Sequence, residues 1–299
     1  MVTPLYASHG LSAALGCEVL LKAEHLHAVG SFKIRGATNK IRVLGDSVRR
    51  AGVVSASSGN HGQGVARAGA LAGVRVTVYV AASAAAQKVD AIRALGADVV
   101  VIDGPPIAAE IAAREVAHAQ GATYVSPYND LDVVAGQGTI GCEIVEQAPD
   151  LDAVFVAVGG GGLIGGIGTA LKHLRPRTRI VGVWPENSPC MLAALRAGRV
   201  VETPERPTLS DGTAGGIEEG SITLPICQQV IDETVTVTEV EIAAAMRAIA
   251  EKEHWIVEGS AGVAMAGLIQ VANAYQGRRV AAVICGRNIG LEQFRRAIA

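Results

Sequence analysis

The run AVFVAVGGGGLIGGIGTAL, Ala153 to Leu171, contains no charged residue, and its reading decides the fold. Its length and apolar character are compatible with a membrane span. Seven of the ten residues from Gly159 to Gly168 are glycine, however. That is far more than small-residue packing between membrane helices requires, and the β-branched run before them has strand character. The stretch therefore reads as a buried strand, a tight turn and a helix.

The same unit recurs along the chain. Short β-branched runs at 53–57, 74–80, 98–103, 153–158, 179–184 and 279–285 alternate with helix-length stretches such as 63–72, 84–95, 107–119 and 163–174. That alternation predicts βαβ units and parallel sheets, an α/β fold. Two further helices with apolar faces are predicted over 239–253 and 260–274.

Composition agrees and narrows the function. The 299 residues are 49% hydrophobic but only 3% aromatic, with 36 glycines, so the core is built from Ala, Val, Ile and Leu. The net charge of −2 offers no electrostatic footprint for a nucleic-acid backbone, which points to a small-molecule partner. Five scattered cysteines without a C-x-x-C pair signal neither a disulfide framework nor a zinc site. With no secretory leader in MVTPLYASHG, a reducing, cytoplasmic location is expected.

Three stretches carry chemistry. In VGGGGLIGGIG, Val158 to Gly168, the four glycines Gly159, Gly160, Gly161 and Gly162 let bare amides close around a phosphate at a helix start. The G-x-G-x-x-G match inside it keeps a dinucleotide site open as a rival. In SASSGNHGQG, Ser55 to Gly64, the Ser57, Ser58 and Asn60 side chains suit either a helix cap or an anion pocket. GSFKIRGA, Gly30 to Ala37, sets Lys33 at a helix start. A lysine amine, an anion-binding turn and a phosphate cup together suggest pyridoxal phosphate, whose aldehyde needs an amine.

On these blocks, with AGQGTI (Ala135 to Ile140), SDGTAGG (Ser210 to Gly216), VEGSAG (Val257 to Gly262) and ICGRNIG (Ile284 to Gly290), the chain resembles the fold-type II pyridoxal-phosphate serine and threonine dehydratases and serine racemases. The resemblance implies a tryptophan-synthase-β-like fold of two parallel-sheet-based α/β domains with the cofactor between them. It puts a larger cofactor-binding domain at 1–51 with 131–299 and a smaller one at 52–130. It matches Lys33 to the lysine that bonds the cofactor, Phe32 to a residue beside the ring, Asn60 to the partner of the ring hydroxyl oxygen and Cys285 to the neighbour of the pyridine nitrogen. Gly159 to Gly162 match the phosphate loop. Ser57, Ser58, Gly59, Asn60 and His61 match the turn that holds the substrate carboxylate, and Ser58 matches the serine opposite the lysine in the racemases. The activity implied is loss of water from L-threonine or L-serine, giving a 2-oxo acid and ammonia, with serine racemase or a 3-hydroxyaspartate dehydratase as alternatives. A homodimer is implied as well.

The chain also departs from that pattern. Trp184 and Cys190 stand where many relatives carry cation-binding carboxylates, so no metal ligand is assigned, Glu186 being a lone acidic residue. Arg287 in CGRN adds a charge that favours an acidic or bulkier substrate. Asp211 and Glu258 read as a loop cap and a helix-start charge. With the chain ending at Ala299, soon after this motif, no C-terminal regulatory domain is expected.

Overall fold

The computed structural model describes residues 2–299. Ten strands occur in the order β1 (Leu5–Ala7), β2 (Glu18–Lys22), β3 (Val53–Ala56), β4 (Val76–Ala81), β5 (Asp98–Ile102), β6 (Thr123–Tyr124), β7 (Ala153–Ala157), β8 (Arg179–Pro185), β9 (Glu233–Val237) and β10 (Arg279–Val283). They form two sheets, one in each of two compact units: the chain up to Gly30 with Gln137–Ala299, and Ser31–Gly136.

The first unit holds a six-stranded sheet in the order β1-β2-β10-β7-β8-β9. Only β1 runs antiparallel; all other neighbours are parallel. Parallel strands covered on both faces need apolar residues on both sides, and every residue of β7, AVFVA, is buried. The uncharged run thus divides as expected, into β7, a glycine turn and the helix Gly162–Leu174. Among the described residues no helix is long and apolar enough to cross a membrane.

The second unit carries the parallel sheet β5-β4-β3-β6. One face packs Val53, Val76, Val78 and Val80 on the helix Asn60–Ala72, the other packs Val54 and Tyr79 on Pro106–Gln120. The unit also includes the helix Lys33–Val43, which the family resemblance assigned to the larger domain. The reason is close helix packing. A Cβ on Gly64 of the Asn60–Ala72 helix would lie 3.0 Å from the Lys33 carbonyl carbon, so only glycine lets the two backbones meet there. The boundary therefore falls at Ser31 rather than at residue 52.

Candidate active site

Lys33 is the first residue of its helix, and Phe32 precedes it in helical conformation without a side-chain cap. The half-buried Lys33 amine donates to the Pro127 carbonyl at 2.9 Å and sits 5.1 Å from the centroid of the buried Phe32 ring.

The SSGNHG turn lies in the same unit. The sequence left its hydroxyls open between capping the helix and forming an anion pocket. The helix begins at Asn60, its N-cap is Gly59, and no side chain caps it. Instead the Ser57 hydroxyl accepts the Gly59 amide at 3.1 Å, closing a small turn ahead of the helix. The first amides of a helix have no partner within it, so an uncapped start keeps donors and the positive end of the dipole for an anion. Ser57, Ser58, Gly59 and Asn60 are all half-buried, which suits a ligand-facing turn.

His61 behaves differently from its neighbours. Its ring is buried, with Nε2 at 2.9 Å from the Val125 carbonyl. Desolvation, followed by the charge of Lys33, holds its pKa down to about 3. The imidazole is thus neutral, with Nε2 as donor. The side chain is engaged inside the unit, which leaves only its backbone for a substrate carboxylate.

In the other unit the glycine loop has a comparable build. Gly161 is the N-cap of Gly162–Leu174, at φ +84°, and no side chain caps this helix either. A Cβ on Gly161 would come within 2.8 Å of the Cys227 sulfur and 2.9 Å of the Met191 methyl; one on Gly159 would lie 2.9 Å from the Thr213 Cα. The loop carbonyls are tied away, Gly160 O accepting from the Thr223 hydroxyl at 2.6 Å and Gly161 O receiving the Cys227 thiol at 3.7 Å. A bend with no side chains, its carbonyls turned back and its helix start uncapped, has the build that suits a phosphate. Taken separately, these features suit the parts of pyridoxal phosphate: an amine for its aldehyde, and a cradle for its phosphate that a single methyl would crowd.

Cys285 is buried two residues past the end of β10. Glu258 does more than charge a helix start. It is buried, precedes the helix Gly259–Val271, and its Oε2 accepts the Asn288 amide at 3.0 Å, bracing the loop that carries Cys285. The signal for this was available, since an acidic residue inside the apolar run WIVEGSAGVAMAG is costly unless it is bonded. Thr223 gave no such signal, because its role depends on a fold contact across 63 positions. Asp211 is exposed, as a loop residue would be.

Trp184 is fully buried, and Cys190 lies against Ser188, whose hydroxyl donates to Glu205 at 2.6 Å. Among the described residues no three His, Cys, Asp or Glu side chains gather as a metal site.

Comparison with known proteins agrees with this chemistry. Residues 1–286 match the model of the pyridoxal-phosphate dependent enzyme family. The chain is 42% identical over 296 residues to an L-threonine ammonia-lyase of Thermotoga maritima, covering 99% of this chain and 73% of that protein. The processed threonine deaminase isoform 2 of Solanum lycopersicum superposes with a TM-score of 0.95 at 36% identity, covering 99% of this chain and 87% of that one. Maize serine racemase does so with a TM-score of 0.93 at 29% identity, covering 100% and 92%. Matched by the family model over residues 1–286 and by relatives over nearly its whole length, the chain is a member of the pyridoxal-phosphate dependent enzyme family.

Proposed function

We propose that this protein is an ammonia-lyase that eliminates water from a 3-hydroxy amino acid, L-threonine or L-serine, and releases a 2-oxo acid and ammonia. The observation that carries the reading is the half-buried Lys33 amine on the Pro127 carbonyl, beside a neutral His61. Its likeness to threonine ammonia-lyases over the full chain supports the substrate class.

In this reading Lys33 and Phe32, Asn60, Gly159 to Gly162 and Cys285 hold pyridoxal phosphate, and the turn from Ser57 to His61 holds the substrate carboxylate through its amides and hydroxyls. When bound, the cofactor supplies the electron-withdrawing system that makes the substrate α-proton removable. The Lys33 Nζ, once free, takes that proton; an amine in a partly desolvated site is suited to the task. A Cys285 thiol beside the ring nitrogen, in place of a carboxylate, would draw electrons into the cofactor less strongly. That favours early departure of the β-hydroxyl over a long-lived carbanion. A homodimer working in the cytoplasm completes the proposal.

A second reading, a 3-hydroxyaspartate lyase, is favoured by one observation. Arg287 is exposed just past Cys285, its amide donating to Gly30 at 2.9 Å, three residues before Lys33. Serine racemase is the third alternative, with Ser58 serving the face opposite Lys33.

The test is a visible spectrum of purified protein, followed by 2-oxo acid release from L-threonine, L-serine and threo-3-hydroxyaspartate, with and without magnesium. A yellow protein releasing 2-oxobutyrate from L-threonine, and a colourless, inactive Lys33→Ala variant, are expected. D-Serine formed faster than pyruvate from L-serine would assign the racemase, and a yellow, fully active Lys33→Ala protein would end the whole reading.

A further inference from the structure

Val125 has its carbonyl oxygen gripped from two sides. The Ser55 hydroxyl, on β3, donates to it at 3.0 Å, and Nε2 of His61, in the first turn of the Asn60–Ala72 helix, donates to it at 2.9 Å. The Val125 amide is also used, donating to Val54 O at 2.8 Å. Two residues on, the Pro127 carbonyl receives the Lys33 amine at 2.9 Å. Both groups of contacts lie inside the Ser31–Gly136 unit.

We propose that His61 is a positioning residue for the Lys33 amine, acting through the backbone from Val125 to Pro127. The inference rests on the reading of Lys33 as the reactive lysine.

Strand β6 ends at Tyr124, the Val125 amide adds one further main-chain bond, and Pro127 has no amide to continue a ladder, so side chains help to fix this segment. Ser126 closes the far side, its hydroxyl accepting the amides of Asn129 at 3.0 Å and Tyr128 at 3.5 Å. The segment is therefore pinned at Val125 and at Ser126, and the Pro127 carbonyl follows from those two anchors. A carbonyl held this way gives a flexible lysine side chain one defined acceptor whenever its amine is free.

The tautomer fits that task. With its proton on Nε2, His61 keeps a bare Nδ1 that meets no partner among the described residues, and the ring is buried. Burial of the ring denies it direct exchange of a proton with solvent. Burial and the neighbouring Lys33 keep it uncharged, so it adds no second positive charge beside the amine.

The test compares His61→Leu, which removes the donor, with His61→Gln, whose amide nitrogen reaches to the same place, and with Ser55→Ala. Stripped of cofactor, each protein is mixed with pyridoxal phosphate, and uptake is followed by the visible band and by borohydride trapping on Lys33. Unfolding midpoint, kcat and KM are measured in parallel. His61→Leu should slow both uptake and kcat by about tenfold to a hundredfold with KM nearly unchanged, the scale on which a small misplacement acts. His61→Gln should restore most of both, and Ser55→Ala should show a smaller loss in the same direction. Uptake and kcat at the unmodified rate in His61→Leu, with only the unfolding midpoint lowered, would overturn the proposal. If that variant fails to fold, Ser55→Ala decides, an unchanged uptake rate counting against it. Failure of the Lys33 reading is seen separately, as trapping on another residue in the unmodified protein.

Discussion

Thr223 donates its hydroxyl to the carbonyl of Gly160 at 2.6 Å. The bond turns that carbonyl toward the helix Thr223–Val230 and so away from the inside of the loop, where an anion would meet repulsion from it. Thr223 is fully buried and its hydroxyl also meets Ser221 Oγ at 2.8 Å, so the tie is not exchanged for water. Thr223→Val keeps the shape and removes the donor. A loss of about 1–3 kcal/mol in stability is expected, from an acceptor left unpaired. Cofactor affinity should fall several-fold, as measured by equilibrium titration of the stripped protein; unchanged affinity would mean that the Gly160 carbonyl does not shape the cup.

Gly161 makes the stricter demand. At φ +84° a side chain costs roughly 1–2 kcal/mol in backbone strain, before any clash. The added methyl would then press on the Cys227 sulfur and the Met191 methyl. Gly161→Ala should therefore lower the unfolding midpoint and weaken cofactor binding more than Gly160→Ala does, Gly160 having no positive φ. Equal effects would show that loop conformation is not the limiting factor.

Much of the fold was legible in the sequence, as were the stretches that build the candidate site, and the reason is local. Strands β3, β4, β5, β7, β8 and β10 announce themselves through β-branched runs, and the glycine loop through its composition, because both are set by neighbours in the chain. Strand β2 was not legible. It ends in Lys22, a residue type that reads as surface, yet Lys22 is fully buried because Glu143 lies opposite it in the fold. The two-residue β6 is too short for any periodicity, and the helix Leu131–Gln147 hides behind three glycines. The Lys33 block was found by its sequence, but its acceptor, Pro127, sits 94 positions away, beyond reach of any local pattern.

Two buried histidines make stability depend on pH in a defined window. Desolvation holds His61 at about 3, helped by Lys33, and holds His25 at about 4, helped by Arg287. Both have lowered values, so the unfolded chain binds more protons than the folded one between those values and the ordinary imidazole range. Stability is thus complete above about pH 6.5 and declines on acidification, by roughly 1.4 kcal/mol per pH unit for each histidine inside the window. Urea midpoints measured from pH 7.5 to 5 should fall in the unmodified protein. In His61→Gln the slope should be about half as steep, and an unchanged slope would remove His61 from the account.

Lys22 and Glu143 form the remaining test, because they link a buried charge to the placement of Cys285. The Lys22 amine meets Glu143 Oε2 at 2.6 Å, Thr3 O at 2.8 Å and Gln147 Oε1 at 2.9 Å, filling its three donors. Its backbone carbonyl accepts the Ile284 amide at 3.0 Å, so β2 directly supports the residue before Cys285. Removing one member of a buried pair strands the other charge, at a cost of about 3–5 kcal/mol. Lys22→Met alone should approach that loss. Adding Glu143→Leu removes the stranded carboxylate, so the double variant should be more stable than the sum of the single losses predicts. Denaturant unfolding of the four proteins measures this coupling directly. Strictly additive losses would mean that the pair is not coupled.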